Sequence, residues 1–402
     1  MKKIGLLVTL LLLLTILFSA CANQSAADAS AESGTEAESI AETDLFADKA
    51  VIEYAQGFTV EYFSNYKLVT ITKPWDMSEE TFQYVLVQRG TEAPTEYGEA
   101  PIIQIPVEKM VSLSTTYLPF LDVYGKLDTL VAIDDTTYVY NPTVLEMAKE
   151  ASLVAVGYGP AIDIETLLSL EPDVIMTSGY GNPEYDTHPV LQKAGLPVVI
   201  NGDYMETTPL ARAEWGKFIA LFYNEEKAAT EFFNQTVEKY NEIKSLAADI
   251  ETKPTVFLNT AFEGTWYMPG GQSYMATFIA DAGGDYLWKD DPSTSTLYLT
   301  FEEVYDVAGE TGEIWINPGG YTFTTADILM GDERHGEFAA FKSGQLYNNV
   351  KVISEGGGID FYESGIAYPD VILADLFSIF HPAEMEQFNP DFESTYYIHV
   401  EN

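Results

Sequence analysis

The 402-residue chain carries 62 Asp+Glu against 20 Lys+Arg, a formal charge of −42. That balance excludes nucleic-acid binding, which needs a basic footprint, and disfavours docking onto an anionic bilayer face. The arginines are Arg89, Arg212 and Arg334, and the lone cysteine, Cys21, can form no intramolecular disulfide.

Lys2 and Lys3 precede an apolar stretch over 4–18, and Ser19 and Ala20 precede Cys21. A basic start, an apolar core and small residues before the cut predict a secretory signal over 1–20. The stretch is shorter than the ~20 residues a membrane-spanning helix needs. Residues 17–21, LFSAC, resemble a bacterial lipobox, in which the cysteine is lipidated and becomes the first residue; Phe18 stands where that pattern prefers leucine. Residues 21–48 are mostly Ala, Ser, Glu and Thr. They bury too little to offset ordering entropy and read as a lipidated, disordered tether.

Residues 49–100 read as an N-terminal β element, with strands at 58–63, 67–71 and 82–87. From 101 the pattern changes. Strands at 106–113, 130–133, 174–176 and 197–200 alternate with helices at 117–124, 142–151 and 163–170, which predicts βαβ units and a mainly parallel sheet over 101–224. A helical stretch at 209–250 contains a long inter-lobe helix assigned to 225–252, with Lys253 and Pro254 ending it. Alternation restarts over 253–402, with strands at 255–259, 313–317 and 346–350 and helices at 274–282, 301–308 and 369–380. The fold class is α/β: two Rossmann-like lobes joined by a single long α-helix, a ligand cleft between them, and the extra N-terminal β element.

The two halves echo each other. Residues 163–180 run from an acid-started helix through a strand to Gly179 and Tyr180; residues 300–321 do the same and end in Gly320 and Tyr321. Thr300 and Glu303 have capping-box spacing, and first-turn acids suit a helix dipole.

Ordered motifs over 105–385 carry a family resemblance. They are MVSLS at 110–114, an IE…LEPDVI pattern at 164–175, AGLPVV at 194–199, IADAGG at 279–284, FKSGQLY at 341–347 and FHP at 380–382. In this order the chain resembles the substrate-binding lipoproteins of ABC importers for iron-siderophore complexes, haem and cobalamin. It departs from them at Pro119, where the family has an acid, and in the strands of 51–100. The resemblance implies a rigid, monomeric, non-enzymatic receptor without cofactor, lipid-anchored on the outer face of the cell membrane or in a periplasm. Its ligand would be a ferric-siderophore, haem or cobalamin-type chelate, and its partners an ABC permease and ATPase. Glu165 and Glu302 match the surface glutamates that dock with permease arginines, with Glu303 a rival; capping alone would also account for these acids.

Ligands of open α/β sheets sit at the carboxyl ends of the strands. There the first lobe offers Tyr117, Tyr138 and Tyr180, and the second Trp266, Tyr267, Trp315 and Tyr321. The run Trp266, Tyr267 and Met268 precedes Pro269, Gly270 and Gly271 and reads as an exposed loop. Arg212, where the first lobe meets the helical stretch, can clamp a carboxylate bidentately or pair with Glu214. His188, His335, His381 and His399 lie in different segments, so no metal site is assigned. No G-x-S-x-G elbow or P-loop occurs. A receptor for a bare metal ion or another small solute, an exported hydrolase and a surface adhesin are the alternatives.

Overall fold

The computed structural model describes residues 43–401; the signal, Cys21 and most of the tether lie outside the described residues. An antiparallel meander opens the body, from β1 (Phe58–Tyr62) to β2 (Tyr66–Ile71) and β3 (Phe82–Gln88), and β4 (Ile102–Ile105) joins β3 in parallel. The strand expected over 106–113 forms only as β5 (Met110–Ser112). Residues 106–109 bond elsewhere: Val107 N–H donates to Phe222, and the Asp173 carboxylate accepts from the Glu108 and Lys109 amides.

The first lobe continues with α1 (Leu118–Val123), β6 (Leu130–Ile133), α2 (Pro142–Lys149), β7 (Val154–Ala155), α3 (Ile164–Leu170), β8 (Val174–Thr177), α4 (His188–Lys193) and β9 (Val198–Ile200). Its parallel sheet has the order β7-β6-β5-β8-β9. Two helices follow, α5 (Pro209–Leu221) and the long α6 (Glu226–Ala248).

The second lobe begins at β10 (Thr255–Leu258). A small antiparallel sheet, β11 (Ala261–Phe262), β12 (Thr265–Pro269) and β14 (Thr296–Leu299), encloses α7 (Tyr274–Asp281) and β13 (Asp285–Tyr286) in the sequence. Then come α8 (Phe301–Ala308), β15 (Ile314–Ile316), α9 (Thr325–Gly331), α10 (Ala339–Ser343), β16 (Leu346–Asn348), α11 (Asp360–Glu363), α12 (Pro369–Phe380), α13 (Pro382–Phe388) and β17 (Ile398–His399). The main sheet runs β13-β10-β15-β16-β17, with β17 antiparallel. In this order β10, β13, β15 and β16 occupy the places that β5, β6, β8 and β9 hold in the first lobe. The sequence echo is therefore architectural: α3–β8 and α8–β15 are equivalent units.

Phe58, Val69, Ile71, Leu86 and Ile105 of the first sheet share one core with Trp215, Phe218 and Ile219 of α5 and with Met176 and Val199 of the first lobe. The N-terminal sheet is thus a layer of the first lobe, and it runs through β4, past the change of pattern at 101. It covers α5, every residue of which is buried except Arg212. Ahead of β1, residues 51–57 form a strap. Glu214 accepts from the Glu53, Tyr54 and Ala55 amides at 3.0, 2.7 and 2.8 Å, and Glu206 accepts from those of Gln56 and Gly57, both at 2.8 Å. Lys217 donates to Val51 O and pairs with Glu214, each at 2.8 Å. Lys67, buried beneath the same sheet, pairs with Glu226 at the start of α6 and donates to Leu221 O.

Candidate ligand cleft

The carboxyl ends of the two parallel sheets supply the groups between the lobes. In the first lobe β5 leads to Ser114, whose hydroxyl accepts from the Thr116 amide and starts a turn. Thr115 and Thr116 of that turn line a cavity of ≈ 270 Å³ with Arg212, Tyr274, Phe361, Tyr362 and Ile372. After β6 stands Asp134, with one carboxylate oxygen buried and unpartnered; burial pushes its carboxyl up to about 6. After β8 the Tyr180 amide donates to Asp186 at 2.6 Å, while its ring lies 5.4 Å from that of Tyr204. Beyond β9, burial pushes the Asp203 carboxyl up, and Arg212 pulls it the other way.

The second lobe ends its strands on amides. Asn259, after β10, and Asn317, after β15, hold left-handed backbones at φ 63° and 55°, a region asparagine tolerates better than most residues. Asn349 follows β16. Asn317 Oδ1, Asn349 Nδ2 and the Tyr397 hydroxyl are buried without a well-formed hydrogen bond, although Asn317 sits beside Tyr397 and Asn349 beside Tyr362. Buried polar atoms normally find partners, and here the two amides and two tyrosines lie beside one another in loose pairs.

Arg212 lies where the lobes meet. Its guanidinium carbon sits 4.2 Å from the Tyr274 ring centroid, and its Nε is buried without a partner. It does not pair with Glu214, which the strap and Lys217 occupy. Arg89 pairs with Asp173 and Arg334 with Asp332, both at 2.7 Å, whereas Arg212 makes no ion pair among the described residues. It also lines a second cavity of ≈ 480 Å³, with Asp76, Tyr204, Asn259, Tyr267 and Thr296.

The other expected contacts divide. Tyr180, Tyr267, Tyr138 and Tyr321 are exposed. Tyr321 donates to Gly357 O at 2.6 Å, and the backbone at Thr137 and Tyr138 lies against Gly356 and Gly358, so these two tyrosines mark an edge where the lobes touch. Glu363 strengthens that edge: its carboxylate accepts from the Tyr140 and Asn141 amides at 2.7 and 2.8 Å, and burial pushes its pKa up to about 7.

Tyr117, Trp266 and Trp315 are fully buried, contrary to expectation. The Tyr117 hydroxyl is 3.0 Å from Ser178. The 266–268 run is no loop but part of β12, whose alternation turns Trp266 and Met268 inward and leaves Tyr267 exposed. Trp315 belongs to a parallel strand covered on both faces. Both indoles donate to backbone carbonyls, of Leu258 and Asn259, and pack around Phe338.

Sequence reasoning missed Asp134, Asp203, Tyr204, Tyr274 and Asp76. The strand-end rule could have found Asp134, the residue immediately after 130–133.

At the far rims, Asp163 caps α3, and Thr300 with Glu303 forms the capping box of α8. Glu165 is therefore free of capping and exposed, and Glu302 pairs with Arg334 at 2.8 Å. The four histidines are scattered, and no group of three or more His, Cys, Asp or Glu among the described residues is placed to hold a metal.

Two Rossmann-like lobes with cavities at their facing strand ends have the layout of a solute receptor. The family model for periplasmic binding proteins matches residues 110–348, more than half of the chain, and the chain belongs to that family. An uncharacterised lipoprotein of Methanocaldococcus jannaschii is 25% identical, with 100% of both chains covered. The periplasmic haem-binding protein of Roseiflexus sp. RS-1 superposes with a TM-score of 0.52 at 19% identity, covering 69% of this chain and 99% of its own. An ABC-type Fe3+-hydroxamate transport protein of Saccharomonospora viridis gives 0.52 at 15% identity, covering 69% and 94%. At these identities the two structures speak for the fold alone.

Proposed function

We propose that the protein is the solute receptor of an ABC importer, capturing a ferric-siderophore or similar metal chelate between its lobes. The observation that carries this reading is Arg212, which has a buried Nε without a hydrogen-bond partner, makes no ion pair among the described residues in a chain of 62 acids, and lines two cavities. A planar donor fork stacked on an aromatic ring suits a carboxylate or a chelate oxygen edge. The aromatic and apolar wall made by Tyr274, Phe361 and Ile372 suits the body of such a ligand. One unpaired arginine matches a ligand with few negative charges.

In this reading Cys21 carries the lipid that holds the receptor at the outer face of the cell membrane or in a periplasm. Glu165 and Glu302 present the loaded receptor to the permease and its ATPase, and no catalysis is involved. Calorimetric titration with hemin, cyanocobalamin and ferrichrome tests the reading. Saturable binding of one of them is the expected result, and absence of heat with all three overturns the chelate assignment. Stoichiometric zinc or manganese in the purified protein favours a bare-metal receptor instead.

A further inference from the structure

The family match begins at residue 110, yet a connection belonging to the earlier sheet reaches the cleft. Residues 72–81 join β2 to β3 and lie across the strand ends of β8 and β9. Three glycines receive them. A Cβ on Gly202 would stand 2.8 Å from the Lys73 carbonyl oxygen, and one on Gly179 or Gly181 would stand 2.7 Å from the Trp75 ring. Contacts that short force the neighbour to move, and neither a backbone carbonyl nor a packed indole moves cheaply. Trp75 is itself packed, stacked on His188 at 5.4 Å and set edge-on to Phe82 at 5.7 Å. Gly179 and Gly181 flank Tyr180, so the indole covers the loop on both sides of this tyrosine. Asp76, the next residue, lines the same cavity as Arg212, Tyr204 and Tyr267.

We infer that residues 72–81 form a built-in wall of the ligand cleft, and that Trp75 is a positioning residue which holds the Tyr180 loop in place for ligand contact. The inference rests on the cleft being the ligand site, and it gives the N-terminal sheet a part in recognition beyond covering α5. The indole fills the space that side chains at 179 and 181 would take. Without it the loop keeps the Tyr180–Asp186 and Tyr204–Gly179 hydrogen bonds but loses its cover.

Amide hydrogen exchange of the purified protein, read by mass spectrometry, tests this without any ligand. Trp75→Ala should speed exchange in peptides spanning 178–187 by about tenfold or more, while peptides from α6 keep the wild-type rate. Trp75→Phe should restore protection, because a smaller ring still covers both glycines. Unchanged exchange in Trp75→Ala, or acceleration throughout the chain, overturns the positioning role. A second arm uses whichever of hemin, cyanocobalamin and ferrichrome the wild type binds. There Trp75→Ala should weaken binding about tenfold and Trp75→Phe by less than that. Equal affinity of Trp75→Ala and wild type overturns the wall. If the wild type binds none of the three, the proposed function fails while the exchange experiment still decides this inference.

Discussion

The two lobes share one sheet plan and end their strands on different chemistry. Past its strands the first lobe carries Ser114, Asp134 and Tyr180, whereas amides at Asn259, Asn317 and Asn349 follow β10, β15 and β16 in the second. The first set ionises or donates through hydroxyls, and its environment sets its charge; the amides keep the same donors and acceptors at every pH. Aromatic groups divide within each lobe instead. Two large indoles, Trp266 and Trp315, lie inside the second lobe and Tyr117 inside the first, while Tyr180 and Tyr267 stand exposed, one on each side. One scaffold therefore carries a titratable, partly walled floor opposite a fixed polar one, which shows how far strand-end chemistry can diverge beneath a constant fold.

The largest expected effect separates core aromatics from cleft aromatics. Trp266→Ala should cost about 3–5 kcal/mol in urea unfolding, as a buried indole lost from a packed cluster does. Tyr180→Ala should stay within about 1 kcal/mol of wild type. Comparable losses in the two variants would break the distinction between core and cleft aromatics.

Next comes the arginine between the floors. Arg212→Ala should weaken binding of the recognised chelate by about 1.5–3 kcal/mol, the range for a hydrogen bond to a charged group. Arg212→Lys should recover only part of that, since an ammonium has no fork. Calorimetry on the three proteins gives the order directly.

A smaller effect should come from the second floor. Asn317→Leu removes a buried oxygen without a well-formed hydrogen bond but puts leucine on a left-handed backbone, so folding stability should fall by about 1–2 kcal/mol. Chelate affinity should fall all the same. A stability loss of several kcal/mol would mean that the amide serves the fold.

A separate effect is one of pH, and only the acidic groups should show it. Burial holds Asp134 at about 6 against an ordinary 3.8, and Glu363 at about 7 against 4.5. In each case the folded state keeps a proton that the unfolded chain has already released, so stability falls as pH rises from the ordinary value towards the raised one and then levels. Asp134→Asn should flatten the decline between 3.8 and about 6, and Glu363→Gln the decline between 4.5 and about 7. Asn317→Leu should leave the profile unchanged. Chemical denaturation midpoints measured across pH 4–8 separate the three.

The lobes were legible in the sequence because parallel strands and their helices are punctuated locally: Gly125, Gly195 and Gly283 follow helices, and Thr300 opens one. Phe301–Ala308 and Pro369–Phe380 form at the residues expected of them. The small sheet around β12 was hidden, because four apolar or aromatic residues followed by glycines look alike as an exposed loop and as a half-buried strand; only pairing with β14 decides. The site divided along the same line. Arg212 was visible as a rare residue type at a junction, but its stacking on Tyr274 joins segments 62 positions apart, and no local pattern encodes that. Trp75 carries no local pattern between its strands, since its meaning depends on glycines more than 100 residues later.

The strap over residues 51–57 also acts as a mechanical joint. A pull arriving along the chain from residues before Thr43 meets Glu214 before it reaches the first strand. One carboxylate grips three successive amides there, so they must let go as a single event rather than one residue at a time. The load then passes into α5, a helix buried almost along its whole length, whose Leu210 and Ala213 also pack in the core of the second lobe. A receptor hung from its N-terminus would keep the shape of its cleft under tension.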